Sequence, residues 1–328
     1  MIVALSGGTG GAKFVAGLAA VVPARDLTVI VNTGDDLTWW GLHVSPDLDS
    51  TTYALAGTLS RERGWGVEGD TFQCLEAMRL IGAPAWFQLG DRDLATHLCR
   101  TELLSRNKTL SEATAAIALG LGVETRVFPM SDDRVETRVI TADGELGFQE
   151  YFVRERYQIA ARGVRFEGAE RARPAAGVLE AIVQAEAIVI APSNPITSIG
   201  PILAVPGIRE AVRQTKAPVV AISPIIGGAA VSGPAGELMQ TQSLPVSIAG
   251  IARCYADFLD LLIADERDSA FGTPVEGIAV RYASTVMKSE ADQTALARSV
   301  LGFLRERTPQ HDKSGRAGDP GPVEAAVS

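Results

Sequence analysis

Residues 2–13 read IVALSGGTGGAK, a short apolar run followed by four glycines within Ser6–Lys13 and then a lysine. Four apolar residues closed by glycine predict a buried strand. Ala12–Val22 follows with Phe14, Val15, Leu18 and Val22 at helical spacing, and Pro23 stops it. Leu27–Val31, LTVIV, predicts a second buried strand that ends in Asn32-Thr33-Gly34-Asp35-Asp36. Strand, glycine turn, helix, strand is the βαβ unit of a parallel sheet. The expected fold is therefore α/β, a Rossmann-like, mainly parallel sheet flanked by helices.

Outward from that unit, helical periodicity covers Asp70–Ile81 and Ser111–Leu119, with LGDRDLATHLCR between them as a turn entering a helix. Thr137–Thr141 and Leu146–Val153 flank Ala142-Asp143-Gly144-Glu145, the pattern of a hairpin with Asp-Gly at its turn. This hairpin marks a smaller inserted α+β subdomain over 136–175, between a nucleotide- and metal-binding part over 1–135 and a continuation of the α/β core over 176–307. Further strands are expected at Ala187–Ala191, Pro218–Ile222, Leu259–Ala264 and Gly277–Tyr282, and Ser289 opens a closing helix. The Gly-, Pro- and charge-rich segment 308–328 is expected to be a disordered tail.

A net charge of −9 and a pI near 5.0 leave no basic field for nucleic acid or an anionic membrane. An anionic ligand must therefore be gripped locally. Cys74, Cys99 and Cys254 stand far apart, with no CxxC pair, which predicts neither a zinc site nor a disulfide framework and suits a reducing cytoplasm. No segment approaches the ~18 unbroken apolar residues of a membrane span.

The glycine loop obeys neither common phosphate-loop rule. Counted from Gly8, Gly10 fits G-x-G-x-x-G but Lys13 stands at the third glycine; for a Walker loop, Ala12 precedes Lys13 and Phe14 follows it. The physics behind both rules still applies. Glycines let backbone N–H groups approach a ligand, and a helix N-terminus with Lys13 in its first turn attracts anions. A bare tight turn would need fewer glycines, so Gly7, Gly8, Thr9, Gly10, Gly11 and Lys13 are candidates to hold phosphate.

Asp35 and Asp36 end the second strand, where a dinucleotide enzyme would place a ribose-binding acid. A second acidic turn, Ser45-Pro46-Asp47-Leu48-Asp49, follows closely. Two acidic turns beside a phosphate loop repel unless a cation lies between them, and Mg²⁺ takes one or two carboxylates with phosphate oxygens. The blander reading makes Asp47 and Asp49 turn and cap residues. Asp93 likewise fits a cap for a helix Leu94–Arg100, and His97 fits a packed histidine better than a catalyst. Trp39, Trp40 and Trp65 lie near the acidic turns and fit core packing or stacking on an aromatic substrate. After a later strand, Ser193-Asn194-Pro195-Ile196-Thr197 is a polar turn able to donate to phosphate or base.

Together SGGTGGAK, NTGDD, SPDLD, RGWG, GDRDLATH, PMSDD, PSNPITSIGPI and SPIIGGAAVSGPAG resemble the CofD family in order over residues 2 to about 240, and Ala256–Asp268 also fits. Members transfer a phosphorylated C3 acid (2-phospholactate, phosphoenolpyruvate or 3-phosphoglycerate) from a guanylyl diphosphate donor to FO, the deazaflavin precursor of coenzyme F420, and release GMP. The resemblance implies Mg²⁺ ligation by Asp35 and Asp49. It also implies donor phosphates on Gly8–Gly11 and Lys13, and nucleotide contacts from Ser193, Asn194 and Thr197. Beside what the resemblance implies, a carboxylate such as Asp47 is expected to take the acceptor's proton. The resemblance further implies a cytoplasmic homodimer. A related branch, the gluconeogenesis-factor or YvcK type, shares the loop but binds nucleotide-sugars as a regulator. The intact SPDLD and GDRDLATH blocks favour the transferase.

Overall fold

Strands β1 (Ile2–Ser6), β2 (Leu27–Val31), β3 (Arg126–Pro129), β4 (Ala187–Ile190), β5 (Val219–Ile222), β6 (Leu261–Asp265) and β7 (Ala279–Ala283) form one sheet. Their order is β3-β2-β1-β4-β5-β6-β7, and every neighbouring pair is parallel. The chain builds from β1 through β2 to β3, then returns to lay β4 on the other side of β1. Leu5 accordingly pairs with Ile30 on one side and Ile190 on the other. That reversal puts the topological switch point, and the crevice that goes with it, at the carboxyl ends of β1 and β4. The α/β, Rossmann-like expectation is met. This computed structural model describes residues 1–271 and 277–306, so the tail expected over 308–328 lies outside the described residues.

Both β2 and β4 are buried at every position, as strands covered on two faces must be. On one face, helix α1 (Gly8–Ala19) packs Phe14, Val15 and Leu18 against Leu48 and against Leu296, Ala297 and Val300 of the final helix, Glu290–Arg305. That last helix opens as expected at Ser289, in a capping box with Asp292. The other face is covered by helices Val178–Val183, Ile208–Gln214 and Ile248–Cys254. No helix among the described residues is long and apolar enough to cross a membrane.

Three local expectations need correction. The stretch Ser45–Asp49 is not a turn but the start of helix α2 (Pro46–Leu55), with Pro46 at its opening position, where a missing N–H costs nothing. The hairpin over Glu136–Thr141 and Gly144–Gly147 forms, with Thr141 opposite Gly144, but its second strand stops at Gly147. Glu150–Arg154 then winds into one wide helical turn, and Gly163–Glu167 completes a three-stranded antiparallel sheet. Phe148 and Phe152, four apart, belong to a helical face rather than a strand, and they stack at 5.6 Å. Helices α3 (Gln73–Leu80), α4 (Asp91–Ser105) and α5 (Leu110–Gly120) fill the middle of the chain. Helix α4 starts at Asp91 after an N-cap at Gly90, so Asp93 is no cap.

Candidate active site

Helix α1 begins directly off β1, and Gly8 sits at φ +67°, the left-handed region that favours glycine. Close approach explains the next glycines. A Cβ on Gly10 would stand 2.6 Å from the Pro192 carbonyl oxygen, and one on Gly11 would stand 2.5 Å from Ser6 Oγ and 2.7 Å from Ser193 Oγ. The loop is stitched to the turn after β4: Ser193 Oγ donates to the Gly7 carbonyl at 2.7 Å and accepts from the Gly7 N–H at 3.3 Å. The N–H groups of the first helical turn thus stand at the switch point with the dipole behind them. Lys13 is half-buried, lines the cleft and has no carboxylate partner among the described residues. Gly10→Ala should cost about 1–3 kcal/mol of stability, because Pro192 presents backbone rather than a movable side chain. Urea denaturation reads this directly, and an unchanged midpoint would contradict the close packing.

Four aspartates gather across from the loop, and their partners sort them. Asp36 Oδ2 accepts from Ser45 Oγ at 2.6 Å and lies 2.9 Å from His43 Nε2, so it is tied to the entry of α2. Asp47 Oδ2 accepts from Asn32 Nδ2 at 2.9 Å, and the Gly8 N–H also points to this carboxylate. Asp49 accepts from both Arg100 terminal nitrogens. Asp35 and Asp36 each keep a buried oxygen, Oδ1, without a hydrogen-bond partner among the described residues, but Asp36 is already held through Oδ2 by Ser45 and His43, whereas Asp35 lines the cleft. Burial first, then the neighbouring Asp47 charge, holds the Asp35 carboxyl well above the ordinary range. Burial likewise pushes Asp47 up to about 6.

Behind Asp49 lies a buried polar chain from α2 to α4. Arg100 is 2% exposed and also donates to the His43 carbonyl at 3.4 Å. His97 sits between two carboxylates, Nδ1 at 3.5 Å from Asp49 and Nε2 at 3.3 Å from Asp93. Tyr53 OH donates to Asp93 at 2.8 Å. Neither His97 nor Arg100 shows this role in the sequence alone, since the pairing joins residues about fifty positions apart. The i, i+4 spacing of Asp93 and His97 was the one local signal.

At the end of β4, much of the polar turn is committed to structure. The Asn194 side-chain oxygen accepts from the N–H groups of Ile196 and Thr197 as an N-cap, and Ser193 is held to Gly7. The buried Thr197 Oγ1 has no partner, while its carbonyl accepts from Asn32 at 3.2 Å. All three residues line the same cleft as the glycine loop and Asp35, Asp47 and Asp49. So the candidates from β1, β2, α2 and β4 converge.

The cleft holds about 680 Å³ and continues to an aromatic wall of Trp65, Trp86, Phe87, Phe148 and Phe152. Trp39, singled out from sequence, is instead 6% exposed and packs edge-on against Trp86 at 4.7 Å. The sequence reading missed Trp86, Phe87, Phe148 and Phe152. Among the described residues no three His, Cys, Asp or Glu side chains form a ready-made metal cage. An all-oxygen set in which the cleft-lining Asp35 keeps a buried oxygen without a partner suits a hard divalent ion that completes its shell with substrate oxygens and water.

A parallel sheet with a glycine loop at its switch point, a lysine without a carboxylate partner among the described residues, and buried carboxylates opposite has the features of an α/β protein suited to phosphorylated ligands. A family model described as 2-phospho-L-lactate transferase CofD matches residues 2–295. The chain belongs to the CofD family and is a transferase of coenzyme F420 biosynthesis. It is 45% identical over 313 residues to a phosphoenolpyruvate transferase of Streptomyces griseus, covering 93% of this chain and 98% of that one. It is 43% identical over 305 residues to a 2-phospho-L-lactate transferase of Methanosarcina acetivorans, covering 92% and 99%. Among solved structures, protein BH3568 of Bacillus halodurans shares the fold at a TM-score of 0.60 and 19% identity, over 92% of this chain and 98% of that one.

Proposed function

We propose that this protein transfers a phospho-C3-acid unit from a guanylyl diphosphate donor to the terminal ribityl hydroxyl of FO, releasing GMP and forming F420-0 or dehydro-F420-0. One observation carries the reading: a single cleft joins an anion-binding loop, a carboxylate cluster and an aromatic wall broad enough for a fused-ring acceptor. The relatives named phosphoenolpyruvate transferase and 2-phospho-L-lactate transferase support the transferred unit.

In this reading Lys13 and the N–H groups of Gly8–Gly11 hold the donor phosphates, with Ser193, Asn194 and Thr197 beside the nucleotide. Asp35, whose buried Oδ1 has no hydrogen-bond partner, and Asp49, oriented by Arg100, would hold Mg²⁺. When bound, the ion neutralises charge that builds on the diphosphate as the bond to GMP breaks. The acceptor oxygen forms the new bond to the phosphorus that bears the C3 acid, GMP leaves in line, and Asp47 takes the hydroxyl proton. Trp86 and Phe152 orient the acceptor ring by stacking. The enzyme works as a cytoplasmic homodimer without nucleic-acid or membrane partners, and the net charge of −9 supports the latter.

Chromatography of GMP tests the reading. GMP should form only with both donor and FO and should stop with EDTA. Trp86→Ala should raise the KM for FO about tenfold and leave the KM for donor unchanged. GMP released at the same rate without FO would make the protein a hydrolase and overturn the proposal.

A further inference from the structure

Lys13 is one of two full cations among the described residues lining the cleft; the other is Arg156, on the wall built by the inserted subdomain. Its backbone is unusual. Arg156 at φ 51° and Tyr157 at φ 45° are consecutive left-handed residues with full side chains, each costing about 1–3 kcal/mol unless the surroundings impose it. The surroundings are visible. The Tyr157 N–H donates to the Tyr151 carbonyl at 2.9 Å, which closes the turn over Glu150–Arg154. The Tyr157 ring stacks on Phe152 at 5.8 Å and 14°. The chain therefore reverses within two residues, folding Tyr157 back onto the aromatic stack and leaving Arg156 at the cleft.

Nearby arginines are engaged. Arg154 pairs with Glu150 and Glu155 and lies 5.7 Å over Trp86. Arg138 and Arg165 pair with glutamates across the three-stranded sheet. Arg156 has no carboxylate partner among the described residues, although four aspartates line the same cleft. A solvated surface arginine needs no strained backbone to reach water.

We infer that Arg156 reads the carboxylate of the transferred C3 acid and so sets which acid the enzyme accepts. The inference rests on the donor proposed above. In that donor the phosphates face the glycine loop and Lys13, and the acid carboxylate is the anionic group left without a cation. A guanidinium fork matches a planar carboxylate with two parallel hydrogen bonds. The distance also matters. In 2-phospholactate and phosphoenolpyruvate the carboxylate sits on the carbon that carries the phosphate oxygen, whereas in 3-phosphoglycerate it lies one carbon further. A fork fixed by the Tyr157 anchor accepts one spacing and penalises the other.

Calorimetric binding of the guanylyl donors and of GDP, without FO, tests this on the full chain. Arg156 is exposed, so Arg156→Gln should leave folding intact. The variant should bind the preferred donor about 10- to 100-fold more weakly, keep its GDP affinity within about twofold, and lose preference between the two spacings. Arg156→Lys, which keeps charge but not the fork, should fall between. Equal loss for GDP and donor would assign Arg156 to phosphate, and no loss for either would remove it from the donor site; both overturn the inference. Binding needs no turnover, so a wild type that binds donor through Arg156 yet releases no FO-dependent GMP sinks only the transfer reading. A wild type that binds neither donor nor GDP overturns both.

Discussion

Asp35→Asn should cut turnover about 10²–10³-fold and, in the same protein, raise the stability of the metal-free state at pH 7.5. The first effect follows from the proposed role of Asp35, whose buried Oδ1 has no hydrogen-bond partner and which would hold Mg²⁺ beside the donor diphosphate. The second follows because folding places this carboxyl in a dry site beside Asp47, which raises its proton affinity above that of the unfolded chain. A carboxyl with a raised folded-state pKa binds more protons folded than unfolded through that interval, so stability is lost as pH rises. The metal-free wild type should therefore weaken as pH climbs from about 4 through about 6, the region of Asp47, and the raised Asp35 carboxyl adds to the same loss. Asp35→Asn should flatten this slope, and Mg²⁺ should stabilise the wild type at pH 7.5 but not the variant. Denaturant titrations at pH 5 and 7.5, with and without Mg²⁺, measure all three. A variant that loses stability together with activity would make Asp35 a structural residue.

Arg100→Met should cost about 3–5 kcal/mol of stability, the largest single-residue loss expected outside the apolar core. Arg100 and Asp49 are both buried, at 2% and 4% exposure, so removing the guanidinium leaves the carboxylate with His97 as its one remaining ionisable partner among the described residues. The apparent Tm should fall roughly 5–10 °C. Adding Asp49→Asn removes the stranded charge, so the double variant should regain part of the loss while remaining inactive. This separation of fold from function is the useful readout: stability returns, activity does not. A single variant with an unchanged Tm would show that the pair contributes little and that Asp49 is not held where it is seen.

The fold was legible in the sequence where a local pattern carried it. Ile2–Val31 spells out strand, glycine turn, helix and strand; both strands form within a residue of their expected places, while the helix expected over Ala12–Val22 runs Gly8–Ala19, because the glycines themselves enter its first turn. Errors arose where two patterns competed. Pro46 between Ser45 and Asp47 reads as a turn, yet proline is equally at home opening a helix, and burial of Leu48 against α1 decides for α2. Leu146–Val153 looks extended until Phe148 and Phe152 are seen to stack. The glycine loop and the Asp35-Asp36 pair were legible because they follow consecutive strands of one βαβ unit, and Asp47 and Asp49 because they come soon after in sequence. Arg100, His97 and the aromatic wall were not, because their partners come from distant segments brought together only by tertiary packing.

The buried carboxylates, the costly backbone at Arg156–Tyr157 and the unpaired Lys13 share a feature: each opposes the stability of the empty protein and favours a polyanionic ligand with a cation. The most direct test is the mass of the product. Purified protein is incubated with FO, Mg²⁺ and each of the 2-phospholactate, phosphoenolpyruvate and 3-phosphoglycerate guanylyl donors, with an EDTA control. The account predicts a new species at the mass of FO plus one phospho-C3 unit, formed with a preferred donor and absent under EDTA. No such species with any donor, together with tight binding of a nucleotide-sugar, would contradict it and make the cleft the sensor of a regulator.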